Sequence, residues 1–350
     1  MSTLVFAIPG PLDTASGGYG YDRRVIDGLK ALGHRVTHLA LADGFPKPDA
    51  DARAQTSAAF ATIDDGQPTM VDGLALGVLP HEIAELARRA PVVALIHHPL
   101  ALETDLTRER IQALETSERH ALAACRHVVA TSDATASVLA EHYGVDRSRL
   151  TVAPPGVDRP RAFAPLTADP PRLLSVGALV HRKGYDVLVD ALAGLQDLTW
   201  TAEIVGDPER DPTIAADLVR RIEAHGLADR IQLAGRLDAA VLATRYMDAN
   251  LFVISSRYEG YGMVASEAIA HGLPIVGTTG GALVDTIPDE VGLKVAPDDA
   301  EALSTAVRHV LESSALRTRL GESARIAAQD LPHWAETART IATVIEGLNS

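Results

Sequence analysis

The chain has 350 residues, a formal net charge of -14 at pH 7 and 47% apolar residues. That length fits two ordinary domains, and the apolar share excludes disorder as the main state. The acidic balance argues against a nucleic-acid binder and a polybasic membrane anchor, and the single cysteine, Cys125, excludes an intrachain disulfide and paired-cysteine zinc sites.

A reducing cytoplasm is the simplest compartment for such a chain. No cationic region precedes the first apolar stretch, so no signal peptide is expected. No apolar run approaches the ~20 residues that span a bilayer.

In chain order, the first half alternates short β-branched runs with helical patterns. Strands are expected at Leu4–Ile8, Val36–Ala40, Val92–Ile96, His127–Ala130 and Leu150–Ala153. Helices are expected at Tyr21–Leu32, Arg108–Ala124 and Ala134–Tyr143. The stretch from Phe45 to Ala75 is polar and weakly periodic, and reads as a variable element. Pro154-Pro155-Gly156 and the proline-rich Arg159–Pro171 read as a linker. The pattern then restarts, with strands at Leu173–Val176, Ala202–Val205, Ile231–Leu233, Leu251–Ile254, Pro274–Val276 and Leu293–Val295. Alternating strands and helices predict two doubly wound α/β domains in tandem, 1–160 and 171–330, followed by a helix over 331–350. Such sheets bind ligands beyond the carboxyl ends of their strands.

The richest stretch runs from Ser255 to Ala268 and contains Glu259-Gly260-Tyr261-Gly262-Met263. Its glycines and backbone amides stand at a helix N-terminus, which suits phosphate. Glu259 and Glu267 would repel a phosphate, so they should face hydroxyl-rich parts of a ligand. A plain strand–turn–helix with an acid near the helix start is the bland alternative. A second stretch, Ser175 to Asp186, carries Arg182 and Lys183 just beyond a strand. An arginine fork and a lysine point charge can neutralise a diphosphate, although a solvated dibasic turn has the same sequence. With only four lysines in the chain (Lys30, Lys47, Lys183 and Lys294), Lys183 stands out.

In the first domain, Ala15-Ser16-Gly17-Gly18-Tyr19-Gly20 is a glycine-rich entry to a helix that could cradle a phosphate. It is not the G-x-G-x-x-G fingerprint of nicotinamide enzymes, which weighs against a dehydrogenase. His97 and His98 follow the strand Val92–Ile96, at its carboxyl end. A neutral imidazole there could hydrogen-bond a sugar hydroxyl or an acceptor. No spacing supports a metal site, and Asp64-Asp65 and Asp298-Asp299 read as turn or helix-start residues.

Taken together, these motifs resemble the retaining glycosyltransferases of family 4, with the GT-B fold of two Rossmann-like domains facing a cleft. Glu259 and Glu267 match the family's E-x7-E spacing, Gly177 to Gly184 is similar to its G-x-L-x-x-x-K-G element, and Pro154-Pro155-Gly156-Val157-Asp158 resembles its junction motif. Gly280-Gly281 resembles the family's Gly-Gly turn, but the usual Pro-Glu is absent and the nearby acid is Asp285.

The resemblance implies that Glu267 holds ribose hydroxyls and that Glu259 contacts the donor sugar. Tyr261, Gly262 and Met263 would face the sugar and phosphate, and Arg182 and Lys183 would hold the diphosphate. Gly235, Arg236 and Leu237 would meet the base. Gly17 and Gly18 would face the donor phosphates, and His97, rather than His98, would lie by the reacting sugar. It further implies a UDP-, GDP- or ADP-sugar as donor substrate, no cofactor and no metal. The last helix, begun by Trp334 as a packing anchor, would cross back to the first domain. The acceptor stays open among a glycan, a lipid and a small molecule, as do the oligomeric state and a weak peripheral contact with the inner face of a membrane. Sugar-nucleotide epimerases, phosphorylases and non-catalytic sugar-nucleotide binders are the rival readings.

Overall fold

The computed structural model describes residues 2–14 and 16–348; Ala15 of the glycine-rich stretch lies outside the described residues. The chain divides into two compact units, Met1–Gly156 with Pro332–Ser350, and Val157–Leu331.

The first unit runs β1 (Thr3–Pro9), α1 (Gly17–Ala31), β2 (Arg35–Leu41), α2 (Ala50–Ala61), β3 (Thr69–Asp72), α3 (Gly73–Leu76), α4 (Pro80–Ala87), β4 (Val92–Ile96), α5 (Arg108–Ala124), β5 (His127–Ala130), α6 (Asp133–His142) and β6 (Leu150–Val152). Its six strands pair in the order β2-β1-β3-β4-β5-β6, all parallel. The order reverses beside β1, because β2 and β3 leave it on opposite sides. That switch point opens a crevice at the carboxyl ends of β1 and β3. Residue alternation assigns the two faces. Leu4, Phe6 and Ile8 pack with Tyr21, Val25 and Leu29 of α1, while Ala7 and Val71 pack with Leu79 and Ile83.

Two sequence expectations change here. The segment from Phe45 to Ala75, expected as a variable element, contains β3, a central strand buried at every position. Helix α1 also begins four residues earlier than its apolar period suggests, capped by the Ser16 hydroxyl, which accepts from the Tyr19 amide. Gly17 and Gly18 therefore form its first turn.

The second unit runs β7 (Arg172–Val176), α7 (Tyr185–Ala193), β8 (Thr201–Val205), α8 (Pro212–Ala224), β9 (Ile231–Gly235), α9 (Ala239–Asp248), β10 (Leu251–Ile254), α10 (Met263–Ala270), β11 (Ile275–Thr278), α11 (Leu283–Thr286), β12 (Gly292–Val295), α12 (Ala300–Glu312) and α13 (Ser314–Ala327). The strand order is β12-β11-β10-β7-β8-β9, again parallel throughout. Here the switch point lies between β7 and β10. The segment expected as a linker belongs partly to this unit. Ala164 is fully buried, and its amide donates to the His271 carbonyl at 2.8 Å.

The last helix, α14 (Trp334–Gly347), packs along α1 in the first unit. The contact is so close that a side chain at Gly28 would collide with Ala338. Ile341 and Ile345 join the same core face as Phe6, and the Trp334 ring meets Tyr21 edge-on at 5.8 Å. Among the described residues, no helix is long and apolar enough to cross a membrane.

Ile341 is fully buried at this contact. Ile341→Ala should destabilise the first unit by about 2–5 kcal/mol. Urea denaturation followed by circular dichroism would measure the loss.

Candidate functional site

In the second unit, the residues singled out by sequence meet at the β7/β10 switch point. After β7 the chain makes a short 3-10 turn, His181–Lys183, that ends at Gly184. Gly184 has φ +64°, and a Cβ there would lie 2.1 Å from the Ser255 carbonyl oxygen. Only glycine lets this turn sit against the end of β10. The Arg257 amide donates to the Arg182 carbonyl at 2.8 Å, and the Arg257 guanidinium forks onto Asp186 at 2.9 and 2.7 Å. The two loops are thus tied together by backbone and by charge.

Between them lies Glu259, buried at 6% exposure. Its Oε1 accepts from Lys183 Nζ at 2.6 Å and from Ser256 Oγ at 2.6 Å, while Oε2 lies 3.4 Å from an Arg182 nitrogen. Burial alone would push this carboxyl up, but Lys183 and Arg182 reverse that and hold it at about 2. The Gly280-Gly281 turn grips the same loop. The Glu259 amide donates to the Gly280 carbonyl, and the Ala282 amide donates to the Glu259 carbonyl at 2.8 Å. At Gly281, φ is +63°, and a Cβ would strike the Glu259 carbonyl oxygen. Asp285 is exposed on α11, away from this grip.

Glu267 lies one turn into α10. Its Oε2 accepts from the Tyr246 hydroxyl at 2.8 Å, and burial pushes its carboxyl above the usual range. Tyr246 in turn stacks on His271, with centroids 4.8 Å apart. The sequence reading missed Tyr246, which sits on α9, 21 residues away and with no local motif to announce it. Gly262 starts α10 in a left-handed conformation, φ +91°, with no side-chain cap. Among the described residues no side chain caps this helix start, so the amides from Tyr261 to Met263 stand at its positive end. Gly235 closes β9, Arg236 is exposed, and Leu237 leans partly onto the core. These three are not drawn into the charged cluster.

In the first unit, His97 follows β4 at its carboxyl end. Its Nε2 lies 3.3 Å from Asp22 Oδ1 and 3.5 Å from Asp72 Oδ2. Gly18 packs against this ring edge, with a built Cβ 3.3 Å from Cδ2, and the Tyr21 ring meets it edge-on at 5.2 Å. Burial would lower the imidazole, but hydrogen bonding and charge from Asp22 and Asp72 push it up to about 10. Two buried carboxylates at this distance favour the protonated form of the ring. The Asp22 carboxyl is itself raised to about 6, by burial first. Neither aspartate is legible from spacing, yet the three donor atoms lie within 4.8 Å of one another. His98 turns elsewhere, with its Nε2 2.6 Å from Glu103 Oε1.

A family model described as Glycosyl transferases group 1 matches residues 158–327, and one described as Glycosyltransferase Family 4 matches residues 23–161. The chain is similar to mannosylfructose-phosphate synthase of Agrobacterium fabrum, 32% identical over 64% of this chain and 53% of that protein. It is also similar to the lipopolysaccharide core biosynthesis mannosyltransferase LpsB of Rhizobium meliloti, 32% identical over 71% of this chain and 76% of that protein. Several D-inositol 3-phosphate glycosyltransferases match too, such as that of Kineococcus radiotolerans, 31% identical over 63% of this chain and 57% of that protein. The chain spans little more than half the length of the synthase and of these inositol enzymes. Among solved structures, sucrose-phosphate synthase from Thermosynechococcus elongatus superposes with a TM-score of 0.83 at 22% identity, covering 99% of each chain. HepE of Anabaena in complex with UDP-glucose gives 0.77 at 17% identity, covering 99% of this chain and 100% of that one. These structures share the GT-B fold.

The Glu259 carboxyl lies below its ordinary value of 4.5, so its ion pairs stabilise the fold fully above that pH and fade as pH falls toward 2. Glu259→Gln should cost about 3 kcal/mol near pH 7 by leaving Lys183 and Arg182 without their anion. Thermal melts across pH should show the gap between wild type and variant narrowing below about pH 4.5 and closing only as the medium approaches about pH 2.

Proposed function

The chain belongs to the family 4 glycosyltransferases, and we propose that it is a retaining enzyme moving a sugar from a nucleotide diphosphate sugar to an acceptor hydroxyl. The observation that carries this reading is the Lys183–Glu259–Arg182 cluster beside the uncapped start of α10. Two cations are gathered against one buried carboxylate, beside the start of a helix whose amides face its positive end. A diphosphate is the anion that such a place would hold. Departure of the nucleotide diphosphate leaves oxocarbenium character on the sugar carbon and negative charge on the leaving oxygen. Lys183 and Arg182 neutralise that growing charge, doing what a metal ion would otherwise do. The transfer is therefore metal-independent in this reading.

Glu259, ionised under all ordinary conditions, accepts from hydroxyls of the donor sugar and orients it. Glu267 accepts from the ribose hydroxyls, with Tyr246 fixing its second oxygen. The departing phosphate takes the acceptor proton on the same face of the sugar, which retains the anomeric configuration. Gly17 and Gly18 offer amides at the start of α1, and His97 adds a positive charge at the carboxyl end of β4. The inositol phosphate named in several relatives makes D-inositol 3-phosphate the first acceptor to try, followed by glycan and lipid acceptors.

Lys183→Ala and Glu267→Ala should each lower kcat/KM by about 100- to 1000-fold with the fold intact by circular dichroism. The donor is found first, by thermal shift with UDP-, GDP- and ADP-sugars. Transfer with that donor should be unaffected by EDTA. Unchanged turnover in both variants would overturn the assignment of this site.

A further inference from the structure

We propose that Asp22 and Asp72 are positioning residues that grip His97 by Nε2 and hold it as an imidazolium, so that its Nδ1–H is the donor offered to substrate. This rests on the reading of His97 as part of the transfer site.

The geometry comes from three separate elements. Asp22 stands on α1, Asp72 ends β3, and His97 follows β4. Asp22 and Asp72 are 1% and 2% exposed. Two carboxylates buried so close together repel each other unless a positive charge lies between them. One oxygen of Asp72, Oδ1, is already committed, accepting from the Leu74 amide at 2.9 Å. Its Oδ2 is left to face His97. Oδ1 of Asp22 and Nε2 of His97 are buried and make no hydrogen bond among the described residues, so they face each other only at ion-pair distance.

Of the other charged and titratable groups nearby, Arg23 acts on Asp22 only as a weak, distant charge, because its guanidinium is directed to the Leu12 and Thr14 carbonyls. Tyr21 gives its hydroxyl to the Ala153 carbonyl, and His98 is paired with Glu103. From the α6 side, Thr131 and Thr135 bring only neutral hydroxyls, both to the His97 carbonyl. A proton on His97 is the charge that fits. A metal ion would need further ligands where Gly18 and the Tyr21 ring already crowd the Nε2 edge.

With Nε2 turned inward, Nδ1 is the nitrogen left for a ligand. A ring protonated on both nitrogens donates and cannot accept. His97 would therefore steady an oxygen of the donor sugar or phosphate, and it would not serve as the base for the acceptor.

The test combines 15N-histidine NMR titration with pH–rate profiles for wild type, Asp72→Asn, Asp22→Asn and His97→Ala. Asparagine at 72 can still accept from the Leu74 amide, so this variant keeps the experiment decisive if Asp22→Asn fails to fold. In wild type, His97 should remain an imidazolium with no titration between pH 7 and 9. In Asp72→Asn its titration should fall into that range, and kcat/KM should gain a basic limb that wild type lacks. Wild-type titration of His97 near 6.5, or a rate loss equal at every pH in the aspartate variants, overturns the proposal. So does stoichiometric bound metal that is lost in His97→Ala. Full transfer by His97→Ala would instead overturn the placement of His97 at the transfer site, while the NMR titration still reports on the grip.

Discussion

A single buried carboxylate organises the second unit. Glu259 lies at the switch point of the sheet, where β7 and β10 diverge in connectivity, and it draws Lys183 and Arg182 from one loop to meet its own. An ionised acid at this depth is tolerable only because two cations and the Ser256 hydroxyl surround it. The glycines follow from that constraint. Gly184 and Gly281 are the points where backbone presses on backbone so that the charged side chains can come together. Arg257, held by Asp186 and Asp298, fastens the outer side of the same junction. Removing any one of these ties would loosen the geometry of the whole set.

The first unit gathers titratable groups in the same kind of place. There the His97 imidazole lies between two carboxylates, again at the carboxyl ends of strands beside a switch point. Each cluster gathers titratable side chains from separate elements at the carboxyl end of a sheet, and perturbed groups so placed mark candidate ligand sites.

The legibility of these features in the sequence followed their range. Glu259, Glu267, Gly262 and Met263 fall within nine residues on one strand–turn–helix, so spacing alone exposed them. Arg182 and Lys183 were legible as the basic end of another such turn. Asp22 and Asp72 lie fifty residues apart and meet His97 only through strand order, which no local pattern encodes. The strand carrying Asp72 was missed for a related reason. Thr69–Asp72 is four residues long with polar ends, and it follows Gly66-Gln67-Pro68, so it carries neither a period nor a run of apolar residues. Its burial is imposed by its neighbours β1 and β4, not by its own composition. Tyr246 escaped notice because a tyrosine in an amphipathic helix usually reads as core, and it is core here too, with only its hydroxyl reaching Glu267.

The net charge of -14 now has a local meaning. Most of the acidic excess lies beyond residue 165, in the unit whose proposed ligand is itself an anion. Exposed acids on the outer helices are screened by salt over about 8–10 Å and contribute weakly at the site. Lys183, Arg182 and the amides at the start of α10 act at contact distance, partly out of water, where each charge counts for more. The distant acids then serve solubility and long-range discrimination: they slow the approach of polyanions such as nucleic acid, whose many charges feel the whole field. A compact diphosphate feels mainly the few groups it touches. An acidic protein can therefore hold an anionic ligand provided the cations are gathered in one place, and the glycine-bounded loops at the switch point are what gather them.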